Sequence, residues 1–92
     1  MKQQIFSIYD SKAEAYNTPF YLPNENMAVR EFTNLANDAD STVSKHPADY
    51  TLFHLGEYDD GGAEFTIFDA KVNLGIALEF KNVTMDKESV SD

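Results

Sequence analysis

Apolar and polar positions fall into a few separable patterns along the 92 residues. Residues 5–9, IFSIY, crowd β-favouring side chains around one serine and predict a first strand. Ser11 with Glu14 three positions later has capping-box spacing, which predicts one short helical turn over residues 12–16. Pro19 and Pro23 stop any periodic run there. The residues before them are biased toward extended backbone, so residues 17–23 read as an ordered loop pinned by its aromatics. Asn24 is a good N-cap, and Glu25 places a negative charge in the first turn. Ala28, Phe32, Leu35 and Ala36 then recur at helical spacing with Val29 beside them, predicting a helix over residues 25–37.

The next stretch, NDADSTVSKHPAD, is polar and breaker-rich and reads as a loop. Residues 50–58 read as a strand that places His54 on one face with Leu52 and Tyr58. DDGG at residues 59–62 is a turn signal, because glycine adopts positive φ cheaply. Residues 63–68 form the return strand of an antiparallel hairpin, with Phe65 and Ile67 on one face and Thr66 and Phe68 on the other. KVNLGIALEF is ambiguous. Leu74, Ile76, Leu78 and Phe80 alternate like a strand, yet Gly75 weakens it. From Val83 the composition turns polar and reads as a flexible tail. The expectation is a single α+β domain over residues 1–82, with a tail over 83–92. One main helix packs on a small antiparallel sheet containing a C-terminal hairpin.

Composition narrows the chemistry. Cysteine is absent, which removes disulfides and thiolate metal sites. No apolar run reaches the roughly 20 residues that span a bilayer, and the N-terminus lacks the long apolar segment of a signal peptide. Sixteen acidic residues against seven basic ones give a formal net charge of −9. That mean field repels phosphate and anionic lipid and favours basic partners. A local basic patch would still be able to hold nucleic acid.

Candidate chemistry is sparse. His46 sits in a loop, and nothing in the sequence orients His54 as a base. There is no nucleophile elbow, no phosphate-gripping loop and no dinucleotide fingerprint, so no enzyme activity and no cofactor are expected. Glu57, Asp59, Asp60 and Glu64 flank the hairpin turn. A hard cation is thinkable there, but the spacing fits no known calcium loop, and a solvated turn or a protein-interaction patch is preferred. Tyr9, Lys12, Tyr16, Phe20, Tyr21 and Arg30 interleave rings with cations, a combination that can stack single-stranded bases. The bland alternative is that these rings are core cover in a small chain.

Two long stretches carry a resemblance. FSIYDSKAEAYNTPFYLPNENMAVREFTNLAND and HPADYTLFHLGEYDDGGAEF closely resemble the small nonstructural protein of gokushoviruses, Microviridae with single-stranded DNA genomes. The similarity spans roughly residues 5–68. Members of that family are often labelled DNA-binding. They are likened to the coliphage protein that turns viral synthesis toward single strands and packaging. The resemblance therefore implies a bacteriophage accessory protein in the host bacterial cytoplasm, and it brings no catalytic motif. Two functions follow as expectations. One is binding of single-stranded DNA through Tyr9, Lys12, Tyr16, Phe20, Tyr21 and Arg30. The other is an acidic module whose hairpin carboxylates bind the phage replication initiator or a host replication factor without touching DNA. A homodimer is expected if Phe53 and Leu55 point away from the helix, because that face would need covering.

Overall fold

The fold was examined in a computed structural model, in which residues 1–81 are described. The expected tail over residues 83–92 lies outside them. The chain runs β1 (Lys2–Asp10), β2 (Ala15–Tyr16), β3 (Phe20–Leu22), α1 (Glu25–Asn37), α2 (Thr42–Lys45), a 3-10 turn (Pro47–Asp49), β4 (Tyr50–Asp59), β5 (Glu64–Ile76) and α3 (Ala77–Phe80). All pairings are antiparallel, in the order β2-β1-β4-β5. β3 lies along the same edge of β1 as β2, but farther toward its start, pairing Gln4–Leu22 through Phe6–Phe20.

Alternation in β1 sorts its side chains onto two faces. Phe6 and Ile8 point inward with Leu52 of β4, and Ala28, Phe32 and Ala36 of α1 close over them. The small alanines let the helix approach the sheet closely. Val43 and Ala77 complete the buried cluster, and Phe80 meets Phe32 edge-on at 5.8 Å. Asn24 caps α1 by accepting from the Met27 amide at 2.9 Å. On the buried side of α1, Thr33 takes a place beside Ala28, Phe32 and Ala36. Its hydroxyl is satisfied by the Val29 carbonyl at 2.7 Å. Leu35, which the spacing puts on the apolar stripe, stays 37% exposed.

Several expectations are corrected. SKAE does not start a helical turn. Asp10 Oδ1 accepts the Lys12 and Ala13 amides at 2.9 and 3.3 Å and closes a tight turn, with Glu14 at φ 56°. Asx capping from Asp10, one residue earlier, therefore outcompetes the Ser11 box. Residues 17–23, expected as an ordered loop, contain a strand instead, because β3 uses the extended bias before Pro23 to pair with β1. The stretch after α1 folds into α2, with the Ser41 hydroxyl accepting the Val43 and Ser44 amides, and then the 3-10 turn. The ambiguous KVNLGIALEF is split. β5 continues to Ile76 and α3 follows. Gly75 sits at φ +133°, where a Cβ would meet the Phe80 ring at 2.6 Å, so only glycine lets α3 fold back there.

Three irregularities break the register of the sheet, the largest where residues 68–71 of β5 lie between the partners of His54 and Gly56. Ile5 pairs with Gly56 but Phe6 pairs with His54, which leaves Leu55 as an extra residue in β4. Tyr58 therefore moves to the face opposite His54, whereas simple alternation puts them together. Leu74 is the extra residue between Asn73 and Gly75, and it packs against the core.

Candidate nucleic-acid interface

The face of the sheet away from α1 is lined with rings. Tyr9 of β1 and Tyr16 of β2 are register partners with ring centres 4.8 Å apart. Phe53 of β4 meets Tyr16 edge-on at 5.6 Å and Tyr9 at 6.4 Å. The second group gathers beyond the Leu55 bulge. Tyr58 of β4 stands 6.1 Å from Tyr21 of β3 and 4.7 Å from Phe65 of β5. A shallow hollow there is lined by Gln3, Tyr21, Tyr58, Asp60 and Phe65. Three of the rings are open to solvent, Tyr16 and Tyr21 at 44% and Phe65 at 59%, with Ile67 at 54%, while Tyr9, Phe53 and Tyr58 are half-buried among them. Edge-to-face pairs hold one another's orientation and leave faces free to accept a further ring.

Of the candidate base-stacking residues, Tyr9, Tyr16 and Tyr21 share this face. Phe20 does not. It stacks on Phe6 at 5.8 Å and packs against the core, so it is an anchor. Lys12 lies exposed in the turn that joins β1 to β2, beside the first ring group. Arg30 projects from the exposed side of α1, in the other layer of the fold, and does not join Lys12 at these rings. Phe53, Tyr58 and Phe65 escaped the sequence reading of the site. Their strand parity was available for Phe53, but the Leu55 bulge that turns Tyr58 onto this face leaves no clear mark in sequence.

Electrostatics on this face are weak in cations. The candidate hairpin acids are partly neutralised: Glu57 meets Lys2 at 3.5 Å, and Asp60 accepts the Met1 amine at 2.8 Å. That carboxylate holds the amine's pKa above its ordinary value. Asp59 Oδ1 accepts the Gly61 amide at 2.9 Å and faces Glu64 across the register. Among the described residues no group of three or more metal-ligating side chains could hold an ion. Nor is any described helix long and apolar enough to cross a membrane.

The inner face carries one polar constellation that sequence reasoning missed. His54 is 6% exposed, stacked on Phe6 at 4.7 Å and edge-on to Phe68 at 4.8 Å. Its Nδ1 lies 2.7 Å from Glu25 Oε2. Its Nε2 lies 2.8 Å from Gln4 Oε1 and 3.1 Å from the Gly56 carbonyl. Glu25 is thus the orienting partner that the sequence did not reveal. The adjoining hollow of about 360 Å³ is lined by Gln4, Pro23, Asn24, Glu25, Asn26 and His54, which offer no hydroxyl or thiol nucleophile. The constellation joins β1, β4 and the start of α1, which is the work of a structural tie.

Residues 3–84 match the family model described as Phage ORF5 protein. No curated protein and no solved structure matches the chain.

Proposed function

The chain belongs to the Phage ORF5 protein family, and we propose that this bacteriophage protein holds single-stranded DNA by base stacking on the outer face of its sheet. The observation that carries the reading is the ring set itself. Tyr9, Tyr16, Tyr21, Phe53, Tyr58 and Phe65, drawn from all five strands, meet on one exposed face. An aromatic sheet face is a recurrent way to receive splayed single-stranded bases, each stack contributing about 1–3 kcal/mol whatever the base. Duplex DNA keeps its bases paired and stacked internally, so the same face has little to offer it.

The acidic mean field shapes the mode of binding. With Lys12 and Lys71 the cations near the rings, phosphate neutralisation contributes little and stacking has to supply most of the affinity. Such binding is modest, reversible and tolerant of sequence. That suits an accessory that covers strands during single-stranded DNA synthesis or packaging and then releases them. The gokushovirus resemblance of the long N-terminal and hairpin motifs supports that setting in the host cytoplasm. Titration of fluorescein-labelled oligothymidylate at low salt tests the proposal, with a duplex of the same length as control. Saturable binding of the single strand alone is expected, lost in Tyr16→Ala/Phe65→Ala. No binding at tens of micromolar protein, or equal binding of the duplex, overturns it.

A further inference from the structure

A second surface lies between α1, the β1–β3 edge and the turn before α2. Two adjoining hollows of about 400 and 520 Å³ share Ile8, Asn17 and Leu35 in their walls. The first is floored by Phe20, Leu22 and Leu35, and the second by Val43 and Tyr50. Carboxylates stand around them: Glu31 on α1 lines one, and Asp10, Asp38 and Asp40 line the other. Among the described residues, neither wall includes a lysine, arginine or histidine. The negative field here reaches a neighbouring group. Burial first, then Asp10 and Asp49, hold the Tyr50 phenol above its ordinary pKa.

We propose that this groove docks a cationic amphipathic segment of a partner protein, its apolar side chains seated against Leu35 and Phe20 and its lysines or arginines facing Glu31, Asp38 and Asp40. Charge decides the occupant. Nucleic acid and anionic lipid are repelled by four uncompensated carboxylates. A second copy brings a formal charge of −9 to the same place. A segment with basic and apolar residues on opposite sides satisfies floor and rim together. Leu35 explains itself in this light: it sits at stripe spacing on α1 but is left half-exposed at the junction of the two hollows. The groove lies mainly on the helical side of the molecule; Tyr21 is shared between its β3 end and the ring face, and a peptide seated there leaves the other five rings free. The inference stands independently of DNA binding.

The test uses the full chain and a labelled synthetic peptide with leucines at helical spacing and lysines elsewhere. A scrambled peptide of the same composition reports the contribution of mean charge alone. Binding of the amphipathic peptide is expected to exceed that of the scrambled one by at least about tenfold. Leu35→Gln and, separately, Glu31→Lys/Asp40→Lys should each weaken it by a similar factor, with circular dichroism unchanged in both and oligothymidylate binding unchanged in Leu35→Gln. Amide shifts in nuclear magnetic resonance should cluster at Ile8, Asn17, Leu35 and Thr42. Equal binding of the scrambled peptide, indifference to both variants, or shifts centred on the ring face or the hairpin carboxylates overturns the proposal. Concentration-dependent self-association abolished by Leu35→Gln would also overturn it, in favour of a second copy.

Discussion

The carboxylate of Glu25 and the imidazole of His54 stand 2.7 Å apart, fastening the first turn of α1 to the middle of β4. The ring is buried and the carboxylate is 47% exposed. Water therefore screens one end of the pair and not the other. Glu25→Gln should cost about 1 kcal/mol, because a hydrogen-bonding side chain remains. His54→Ala should cost about 3 kcal/mol, since it also strips Phe6 and Phe68 of a packed ring. Urea unfolding followed by circular dichroism measures both. A larger loss in the glutamine variant than in the alanine variant would contradict this ranking.

The ring face predicts graded losses in DNA binding. Tyr16→Ala removes the side chain that bridges Tyr9 and Phe53. It should weaken oligothymidylate binding by about 1–3 kcal/mol with little effect on folding, because Tyr16 is exposed. Phe20→Ala should act in the opposite sense, lowering stability through the core and affecting DNA binding only as far as folding is lost. The chain has no tryptophan, so intrinsic tyrosine emission reports directly on stacking. Quenching on addition of oligothymidylate is the expected signature.

Salt dependence separates stacking from charge. Each phosphate neutralised on a single strand contributes a slope of about −0.7 in log K against log salt. With Lys12 in the β1–β2 turn and Lys71 two residues before Asn73, the partner of Phe53, as the cations near the rings, the slope should stay near that of one or two contacts, and Lys12→Ala should flatten it. Arg30→Ala should change neither slope nor affinity, because Arg30 lies in the other layer. A slope several times steeper would point to cations elsewhere on the molecule and to a different binding face.

Alkaline pH should find Tyr50. Its pKa is raised from 10.0 chiefly by burial, with Asp10 and Asp49 adding to it. The folded state therefore favours the neutral phenol. That contribution to stability is fully present below the unfolded value and is lost as pH rises through the folded one. Ultraviolet titration of phenolate should show a late component belonging to Tyr50. Tyr50→Phe should remove that late component and soften the fall in stability at high pH. Asp10→Asn should move it back toward the ordinary range.

Helix α1 was legible because capping and stripe act locally, within thirteen residues. Strand β4 and the start of β5 were legible for similar reasons, with β-formers on either side of a glycine turn. The short strands β2 and β3 were not, because residues 15–16 and 20–22 are strands only by virtue of pairing with β1. Nor was the end of β5, where Gly75 looks like a breaker but serves as the hinge into α3. At the site, Tyr9, Tyr16 and Tyr21 could be named from sequence. Phe20 was assigned a stacking role that core packing claims. Phe53 could have been placed by strand parity, but the meeting of Tyr58 with Phe65 on this face depended on a register shift at Leu55 that no single-sequence pattern announces.

Strand β1 carries Ile8 into the core and Tyr9 onto the ring face, and it is paired along both edges. One inserted or deleted residue within it would exchange the two sets, sending rings into the helix layer and aliphatic side chains into water. Substitutions can be absorbed one at a time, but a change of length cannot. In a library of single-codon insertions and deletions, residues 5–9 should be close to an empty column, while the turn at residues 61–63, which lies outside the strand pairings, should accept them freely.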